Sequence, residues 1–504
     1  MAELGERPFP PGDYPVVVVG SGPGGLQTSY FLTRLGIDHA LLSADPVPGG
    51  MFRLFPFFQR LLSWTKPYAP VPRTDRRYEW YDWNSLLAIE PENRAIMPEL
   101  MDGSSSFPSR PEMEQNLAAF AARTGLRTRH DCVWQATRQD GDHFVLTTSD
   151  GEYRCRAAVF AVGVAEPWKP DTPGFEHVAH YVDTRDAATY AGKRLFIVGK
   201  QNSGFELATG LLPWAQRIVL ASPRPAKLSV NTHSLLGVRA RYIQPFEDEV
   251  LGGGVFILNA SIDRVERIGD SYQVHCLRSE GGGELKVDAD EVIAATGFVS
   301  PLLDLPELGV SVYGQSRLPA MTNYWESANV PGIFFAGTIG QGAGGMKKYG
   351  LPSNSGAVHG GRYNTRIMVS HLAERYFDRP PERPAIAPDE LVDLLLEEAT
   401  FSPELWNQKS YLARAVALDP GEGMRDLGFL PLAQFVDDEG QAAVAITVET
   451  DDKGDIHPAV YVRAQGKPAA ETLLESHPLH DFRTADNRAR LVALLKGPTT
   501  GTAK

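Results

Sequence analysis

Two stretches of the chain combine a short, wholly apolar run with a following segment of helical periodicity. The first has Val16–Val19 and then an apolar-periodic helix that ends at Gly36. The second has Leu195–Val198, a helix, and another apolar run at Arg217–Ala221. Short apolar runs suit strands that are buried on both faces of a parallel sheet, and the helices that follow would cover those faces. The pattern therefore predicts an α/β chain with two Rossmann-like units.

The loop after the first apolar run carries three glycines in the dinucleotide-binding pattern G-x-G-x-x-G. Gly20 would permit the sharp turn, Gly22 would let the backbone approach a pyrophosphate, and Gly25 would allow the helix to pack on the strand. The helix N-terminus would add unpaired N–H groups for the phosphates. The acidic residue that binds the ribose, about 20 residues further on, falls near Ser43. We therefore expect either Ser43 or Asp45 to make that contact.

A second loop of this kind lies in "IVGKQNSGFELA". Gly199 and Gly204 are in register, but Gln201 stands where the second glycine belongs. We expect the pyrophosphate there to lie slightly further from the backbone, with the side chains of Asn202 and Ser203 as donors. Two such loops in one chain predict two bound dinucleotides.

The residues after the second strand of this unit indicate which coenzyme it binds. That position faces the adenosine ribose, and an arginine there accommodates the 2′-phosphate of NADPH. Arg224, with Lys227 close by, therefore favours NADPH over NADH. The alternative is that both are ordinary surface charges.

Two later segments resemble parts of the flavoproteins that have two dinucleotide-binding domains. "VIAATGFV" contains an A-T-G segment with Thr296 and Gly297. "IFFAGTIG" resembles the terminal G-D segment, with Gly337 followed by Thr338 in place of the aspartate. The resemblance implies that FAD binds at the first loop and NADPH at the second. It also implies that the second domain is inserted in the first, because the chain returns to complete the FAD site.

A proline-rich linker separates these domains from a C-terminal piece. That piece begins with the amphipathic helix "DELVDLLLEEAT" and continues with two strands around a turn at residues 452–454. It predicts a small α+β extension that acts as a lid, a substrate-side cap or an oligomer contact. The predicted boundaries are 1–168 and 291–376 for the two parts of the FAD-binding domain, 169–290 for the NADPH-binding domain, 377–390 for the linker and 391–504 for the extension.

More specific motifs narrow the resemblance. V-G-x-x-N-S-G-F-E at 198–206 is similar to the loop of flavin-containing monooxygenases, and "FPSRPE" at 107–112, which includes Arg110, is similar to a segment of Baeyer–Villiger and amine N-hydroxylating relatives. A closer likeness is to the ER-luminal FAD-dependent oxidoreductase-domain proteins. It is carried by "DWNSLL", "NSGFE", "KLSVNTH" and "GGRYNTR", and spans roughly the first 375 residues. The similarity of the segment "FPSRPE" to those relatives makes Arg110 a candidate cofactor-binding residue.

The resemblance implies a monooxygenase. NADPH would reduce FAD, O2 would form a C4a-(hydro)peroxyflavin, and that adduct would oxygenate the nitrogen of a small amine or amino-acid-derived substrate. Retained NADP⁺ would protect the adduct, which makes Asn202 a candidate catalytic residue. Two departures from the monooxygenase pattern leave alternatives open. The fingerprint motif of these enzymes would fall on His177, Ala179 and Asp183, where it is essentially absent. Thr65 occupies the position at which the flavin-containing monooxygenases have an asparagine on the substrate side. The alternatives are an NAD(P)H oxidase or dehydrogenase, Baeyer–Villiger or sulfur oxygenation, and a non-catalytic FAD-binding interaction protein.

The segment "GGMFRLFPFFQRLLSWTK" at 49–66 is the candidate wall of the flavin pocket. It is apolar and aromatic except for a few polar positions, among them Arg53 and Lys66. An oxygenated flavin needs a dry pocket with a hydrogen-bond donor near the peroxide. Arg53 and Lys66 are therefore the candidate catalytic donors. The alternative is that the aromatic residues are core and both bases lie on the surface.

Composition excludes several classes of function. The 504 residues carry a formal charge of −13, which argues against nucleic acids and anionic membranes as partners. Cys132, Cys155 and Cys276 form no C-x-x-C pair, which argues against disulfide reductase chemistry. The histidines show no metal-binding pattern, and the close pair His177 and His180 is expected on the surface. The N-terminal segment lacks the apolar core of a signal peptide, so a cytoplasmic location is expected.

Overall fold

The apolar run Val16–Val19 lies in the centre of a mainly parallel sheet, as its composition predicts. The computed structural model describes residues 7–54, 60–229, 237–342, 353–419, 423–451 and 453–496. Each of the four valines is at most 6% exposed. Their strand pairs in parallel with His39–Leu42 on one side and with Gly151–Phe160 on the other. Ile333–Phe335 pairs with the same Gly151–Phe160 strand, so the chain returns to this sheet after the second domain.

The remaining strands of the first sheet form an antiparallel meander at one edge. The strands of the first sheet are Gly12–Val19, His39–Leu42, Trp134–Asp140, His143–Thr148, Gly151–Phe160 and Ile333–Phe335. The returning strand carries Gly337 and Thr338 back to the first glycine loop.

The second sheet has a parallel centre and an antiparallel edge. Its strands, in order across the sheet, are Glu284–Ala289, Ser271–Arg278, Val255–Ile268, Arg217–Ser222, Arg194–Val198, Glu291–Ala294 and Ala179–His180. This confirms the α/β fold class with two Rossmann-like domains. The strand Glu291–Ala294 corrects the predicted boundary after residue 290, because it pairs in parallel with Arg194–Val198. A short apolar strand of this kind is compatible with the centre of either sheet. Its composition therefore does not show to which of the two domains it belongs.

The two crossings between the domains lie side by side. Glu166–Pro167 pairs antiparallel with Phe298–Val299. Next to this pair the N–H of Trp168 donates to the carbonyl of Gly297 at 3.1 Å, and the Thr296 hydroxyl donates to the Trp168 carbonyl. The crossing at Pro167 is therefore half of a two-stranded ribbon.

The C-terminal extension contains a third sheet. Its strands, in order, are Ala385–Ile386, Gly423–Pro431, Leu412–Asp419, Ala443–Thr450, Ile456–Arg463 and Ala470–Leu473. The two strands predicted around the turn at 452–454 are Ala443–Thr450 and Ile456–Arg463, which pair antiparallel. The predicted linker contributes the edge strand Ala385–Ile386. The extension shares one hydrophobic core with the first domain, in which Leu395 and Ile446 join Val16 and Phe334.

Helices cover the sheets and connect the domains. The α-helices of the described residues are Pro23–Arg34, Met97–Leu100, Arg110–Arg123, Asn202–Leu211, Gln244–Leu251, Val358–Phe377, Leu391–Phe401, Pro403–Asn407, Leu432–Asp437 and Ala485–Leu495. Short 3-10 turns occur at Gly50–Leu54, Arg76–Trp80, Pro91–Asn93, Phe175–His177, Tyr181–Asp183, Ala187–Tyr190, Ala240–Tyr242 and Gly337–Gly342, and small strand pairs include Val312–Tyr313 with Leu318–Pro319. Among the residues described, none of these helices combines the length and apolarity needed to cross a bilayer.

Candidate functional site: a cavity between two glycine loops

The three glycines of the first loop are required for different reasons. A Cβ on Gly20 would lie 2.5 Å from the carbonyl oxygen of Ala161, and the residue has a φ of +105°. A Cβ on Gly25 would lie 1.7 Å from the carbonyl oxygen of Gly20. A Cβ on Gly22, the N-cap of the helix Pro23–Arg34, would meet nothing within 4 Å. The protein's own packing therefore explains Gly20 and Gly25, whereas Gly22 borders open space that fits a bound pyrophosphate.

That open space belongs to a cavity of about 700 Å³ in the first domain. Its size is within the range of pockets for small molecules and cofactors, and its walls are largely apolar. The described lining residues used below are Gly20, Gly22, Ser43, Asp45, Asn84, Arg239, Gly337, Thr338, Asn354, His359 and Arg362. Both alternatives for the ribose contact, together with Gly337 and Thr338, therefore line the same cavity.

A serine pair lies at the predicted ribose-binding position of the cavity lining. The Ser21 hydroxyl donates to the Ser43 hydroxyl at 2.8 Å, and the N–H of Asp45 donates to Ser43 at 3.2 Å. Burial raises the pKa of Asp45, although nearby Arg53 opposes that effect. Ser43 is thus held by its neighbours while the Asp45 carboxylate remains a hydrogen-bond acceptor for a ribose hydroxyl.

An asparagine amide also forms part of the cavity lining. Asn84 is fully buried, and its Nδ2 donates to the Thr65 hydroxyl at 2.9 Å and to the Ser63 carbonyl at 3.2 Å. Thr65 in turn donates to Asp82 at 2.8 Å. Thr65, which stands at the sequence position of the monooxygenase asparagine, is therefore buried behind Asn84. The "DWNSLL" segment supplies the amide that borders the cavity.

His359 lies in the first turn of the long helix Val358–Phe377 and stacks on Trp83, with ring centroids 4.6 Å apart. It is 2% exposed, and neither of its ring nitrogens has a hydrogen-bond partner. Burial, reinforced by the positive charges of Arg362 and Arg239, lowers the pKa of His359 to about 3. The ring is therefore a neutral donor and acceptor. Leaving such a group unpaired costs free energy, so a bound molecule is the natural partner.

Arg362, one turn further along that helix, is buried in the same wall. Its guanidinium donates to the carbonyls of Ser85 at 2.6 Å and Glu79 at 3.1 Å and to the Tyr363 hydroxyl at 3.0 Å, while its Nε has no partner. The carboxylate of Glu79 accepts from Tyr363 instead. Arg362 thus keeps a positive charge in the wall without a directly hydrogen-bonded carboxylate.

One lining residue comes from the second domain. The backbone N–H of Arg239 donates to Oδ1 of Asn202 at 3.0 Å, and Nδ2 of Asn202 donates to the carbonyl of Gly237 at 3.2 Å. The predicted coenzyme donor Asn202 therefore uses both atoms of its amide to hold the segment that carries Arg239 into the flavin-side cavity.

The second glycine loop repeats the packing of the first. A Cβ on Gly199 would lie 2.4 Å from the Ala295 carbonyl oxygen, and one on Gly204 would lie 2.3 Å from that of Gly199. Gln201 is the N-cap of its helix in an extended conformation, with φ −111° and ψ −169°, close to that of Gly22. Any residue adopts this conformation, so the loop keeps its shape without the second glycine.

Positive side chains flank the second loop. Lys200 is 1% exposed, and its Nζ donates to the Leu258 carbonyl and to the Asn259 side chain, while burial lowers its pKa to about 8. Arg224 and Lys227 are exposed beyond the strand Arg217–Ser222. Their placement is compatible with the predicted role at a 2′-phosphate, which stays a prediction. Ser203 lies in the first turn of the helix and is half-buried.

Several predicted site residues lie away from the cavity lining. Lys66 is exposed, with its Nζ 5.9 Å from the Tyr81 ring centroid. Arg53 is exposed as well, and its carbonyl accepts a long 3.5 Å contact from Arg110, which also pairs with Glu114. Residues 55–59 of the predicted wall lie outside the described residues. The charged ends of lysine and arginine side chains favour contact with water. Aromatic neighbours in the sequence therefore do not imply that Lys66 and Arg53 point into a pocket.

Thr296 and Gly297 lie at the hinge between the domains and are absent from the described cavity lining. His180 also lies there, which corrects its expected surface position. It is 2% exposed, and its Nε2 is 3.1 Å from the Gly297 carbonyl. The proline and glycine residues around it had suggested an exposed loop.

The C-terminal extension supports one wall of the cavity. The side-chain oxygen of Gln408 accepts from the N–H of Asn354 at 2.9 Å, and Nδ2 of Asn354 donates to the Asn407 carbonyl at 2.7 Å. Nε2 of Gln408 also donates to Ser355 at 3.1 Å and to Asn364 at 2.7 Å. Asn354 lines the cavity, so the extension fixes a cavity wall from behind.

The lining residues that the sequence did not indicate include Asn84, Arg239, His359 and Arg362. Asn84 and Arg362 lie inside "DWNSLL" and "GGRYNTR", and His359 immediately precedes the second of these segments. The segments that carry the family resemblance therefore also contain, or directly follow, these three polar side chains of the cavity lining. Arg239 has no comparable signal, because only the folding of the second domain against the first brings it to the cavity.

Comparisons with known proteins agree with this architecture. A family model described as pyridine nucleotide-disulphide oxidoreductase matches residues 17–337. FAD-dependent oxidoreductase domain-containing protein 2 of Danio rerio is 27% identical over 71% of this chain and 58% of its own length. The chain thus spans less than two thirds of that relative.

Two solved structures share the fold. A flavin-containing monooxygenase from Stenotrophomonas maltophilia has a TM-score of 0.53 at 21% identity, covering 72% of this chain and 98% of that one. Bacillithiol disulfide reductase from Staphylococcus aureus has a TM-score of 0.55 at 16% identity, covering 72% and 99%. At these identities the likeness establishes the fold.

Proposed function

Because the chain belongs to the pyridine nucleotide-disulphide oxidoreductase family, we propose that it is an FAD- and NADPH-dependent monooxygenase that oxygenates the nitrogen of a small amine or amino-acid-derived substrate. The chain is a flavin-dependent oxidoreductase, and FAD and NADPH are its cofactors. When bound, these groups supply hydride transfer and the reaction of reduced flavin with O2. The protein's part is to bind, to orient and to exclude water.

The observation that carries the proposal is the character of the flavin-side wall. It is buried and mainly apolar, and it contains one neutral donor without a partner, the ring of His359. Such a wall would exclude water from a bound flavin that reacts with O2 and would offer it a hydrogen-bond donor.

The cysteines support oxygen rather than a disulfide as the electron acceptor. All three are buried and unpaired. Burial raises the pKa of Cys132, that of Cys155 to about 12 and that of Cys276 to about 11. Because the thiolate is the reactive form, these thiols are poor partners for disulfide exchange.

Different residues of the chain would bind the cofactor and support the cavity wall. Gly22 and the helix behind it would receive the FAD pyrophosphate, and Ser43 with Asp45 would receive the ribose. Asn202 would act indirectly, by holding Arg239 beside the cavity. The C-terminal extension would act as a substrate-side support, through Gln408 and its contact with Asn354.

An oxidase or dehydrogenase without oxygen insertion is the second candidate. The absence of the monooxygenase fingerprint at His177, Ala179 and Asp183 favours it.

A single experiment separates the two. The FAD-loaded protein is reduced anaerobically with NADPH and mixed with ¹⁸O2 in the presence of a panel of small amines and amino acids. The proposal expects a transient change in flavin absorbance, ¹⁸O in an N-oxygenated product, and less than one hydrogen peroxide per NADPH. Immediate reoxidation with one peroxide per NADPH and unlabelled amines would identify an oxidase. Failure of NADPH to reduce the flavin would favour the non-catalytic alternative.

A further inference from the structure

The charges around the cavity are distributed unevenly. Among the described lining residues, the only carboxylate is that of Asp45, at the predicted ribose-binding position. Arg239 and Arg362 both line the cavity as well, and both charges act on His359, which lines it too. A molecule beside His359 would therefore be near two guanidinium groups of the lining, whereas the carboxyl groups of Glu79 and Asp82, which act on Arg362, are absent from the described lining.

Arg362 cannot turn freely toward a substrate, because carbonyl oxygens and the Tyr363 hydroxyl fix its terminal nitrogens. Its role is to contribute a fixed charge. The carboxyl groups of Glu79 and Asp82 lie close enough to favour that charge, but neither hydrogen-bonds to the guanidinium.

Arg239 differs from Arg362, because only its backbone is held in place. No described residue accepts a hydrogen bond from its guanidinium, and its Nε is buried from solvent. Burial lowers the pKa of Arg239, which means that its charge is costly in this position. A guanidinium nevertheless remains protonated in proteins, so it needs an anion or ordered polar partners to offset that cost.

His359 supplies the second requirement of an anion site. Its two ring nitrogens are buried and unpaired in the same wall, so the neutral ring has one donor available. A planar guanidinium beside a neutral N–H donor matches the geometry of a carboxylate, which accepts from both.

We propose that Arg239 and His359 bind the carboxylate of the substrate, so that the substrates are small organic acids such as amino acids rather than simple amines. This inference rests on the proposed function and narrows its substrate class. The binding step itself involves no oxygen and no reduction.

The test uses the FAD-loaded, oxidised protein and two series of probes. The first series pairs acetate and phenylacetate each with its own amide, which has nearly the same shape but no charge. The second series consists of phenethylamine alone, which carries a positive charge instead of a negative one. Binding is followed by the change in flavin absorbance and by calorimetry. We expect at least one of the two acids to bind roughly tenfold or more tightly than its amide and than phenethylamine, since a desolvated charge pair contributes at least that much.

Variants locate the site. Arg239→Ala should weaken binding of that acid roughly tenfold or more, and Arg239→Lys by less, because lysine keeps the charge without the planar fork. His359→Phe should weaken it severalfold and keep the stacking on Trp83. Arg264→Ala, an exposed arginine of the same domain, is the matched control and should change nothing. Unchanged FAD content and circular dichroism verify folding.

Three results would overturn the proposal. They are equal binding of acid and amide, tighter binding of phenethylamine, and an Arg239→Ala protein that binds the acids normally. If Arg239→Ala weakened NADPH and left the acids unaffected, the anion at Arg239 would be a coenzyme phosphate. Because these titrations need no turnover, the carboxylate site can stand even if the ¹⁸O experiment identifies an oxidase.

Discussion

Oδ1 of Asn202 accepts a hydrogen bond from the backbone N–H of Arg239 at 3.0 Å. This contact joins the helix of the second glycine loop to a residue in the wall of the FAD-side cavity. Nδ2 of the same amide is used on Gly237. The coenzyme loop and the flavin-side arginine therefore depend on one side chain, and a change in the loop is expected to reach the other cofactor's cavity.

Asn202→Ala removes both of these hydrogen bonds, each of which contributes about 1 kcal/mol. We expect the segment at Gly237 and Arg239 to loosen and water to enter the cavity. Hydrogen peroxide released per NADPH should rise severalfold, while the rate constant of flavin reduction falls less, because reduction needs only transient contact. Peroxide yield and stopped-flow reduction measure the two effects.

Asn202→Asp is the matched control for this prediction, since it keeps the acceptor for Arg239 and loses the donor to Gly237. Its peroxide yield should lie between those of the wild type and Asn202→Ala. An Asn202→Ala enzyme that is reduced slowly but remains coupled would assign the loop to hydride positioning alone and count against the monooxygenase proposal.

The glycine loops and the sheets around them were predictable because they are local patterns. The wholly apolar composition of Val16–Val19 and Leu195–Val198 predicts that both strands are buried. The glycines of each dinucleotide-binding loop follow these strands directly in the chain. The predicted boundary after residue 290 placed Glu291–Ala294 in the wrong domain, because the pairing partner of a strand is determined by tertiary contacts.

The wall of the cavity was less predictable for the same physical reason. Asn84, Arg239 and His359 come from three distant parts of the chain, and nothing in the residues around Arg239 indicates that it faces a flavin site. Lys66 had the right neighbours in sequence, yet it is exposed beside Tyr81. Position along an apolar segment does not reveal on which side a long charged side chain emerges.

Gly22 and Gly25 offer a paired test of what each glycine does. Gly25→Ala places a Cβ 1.7 Å from the Gly20 carbonyl oxygen and should lower the free energy of unfolding by about 3 kcal/mol. Gly22→Val places its side chain in the cavity, where the space is open, and should leave a folded, colourless protein. Denaturant unfolding and FAD absorbance distinguish the two outcomes. A Gly22→Val protein that retains yellow FAD at normal stoichiometry would show that the pyrophosphate lies elsewhere.

Arg224→Ala tests the choice of coenzyme. Arg224 is exposed beyond the strand Arg217–Ser222. If it pairs with the 2′-phosphate, its loss should weaken NADPH binding by ~1.5–3 kcal/mol, the usual contribution of a hydrogen bond to a charged group. NADH binding should hardly change. Equal losses for both coenzymes, measured by titration of the oxidised protein, would mean that another residue discriminates.

Glu404 tests how the C-terminal extension is attached. Its carboxylate is fully buried and pairs with Arg76 and with Arg366, both at 2.6 Å. Burial alone would raise the pKa of Glu404, but the two arginines outweigh it and hold the pKa well below its ordinary value. Glu404→Gln leaves Arg366 without this carboxylate and Arg76 with Glu398 alone, and should cost about 2 kcal/mol of stability, because both half-buried arginines remain partly solvated. Because Asn407 and Gln408 hold the cavity wall at Asn354, FAD should also dissociate more readily.

The sign of the pH dependence follows from the depressed pKa. The contribution of Glu404 is complete above the pKa of the unfolded chain, about 4.3, and is lost as the pH falls through the lower folded value. Between pH 7 and 5 the difference between the wild type and Glu404→Gln should therefore be constant, and below about pH 4 it should shrink. Glu397→Gln, which breaks an exposed pair with Arg483, is the control and should cost less than about 1 kcal/mol. If Glu404→Gln cost no more than this control, or if FAD dissociated no faster, the extension would be held by its apolar core alone, and its support of the cavity wall would not depend on the buried charges.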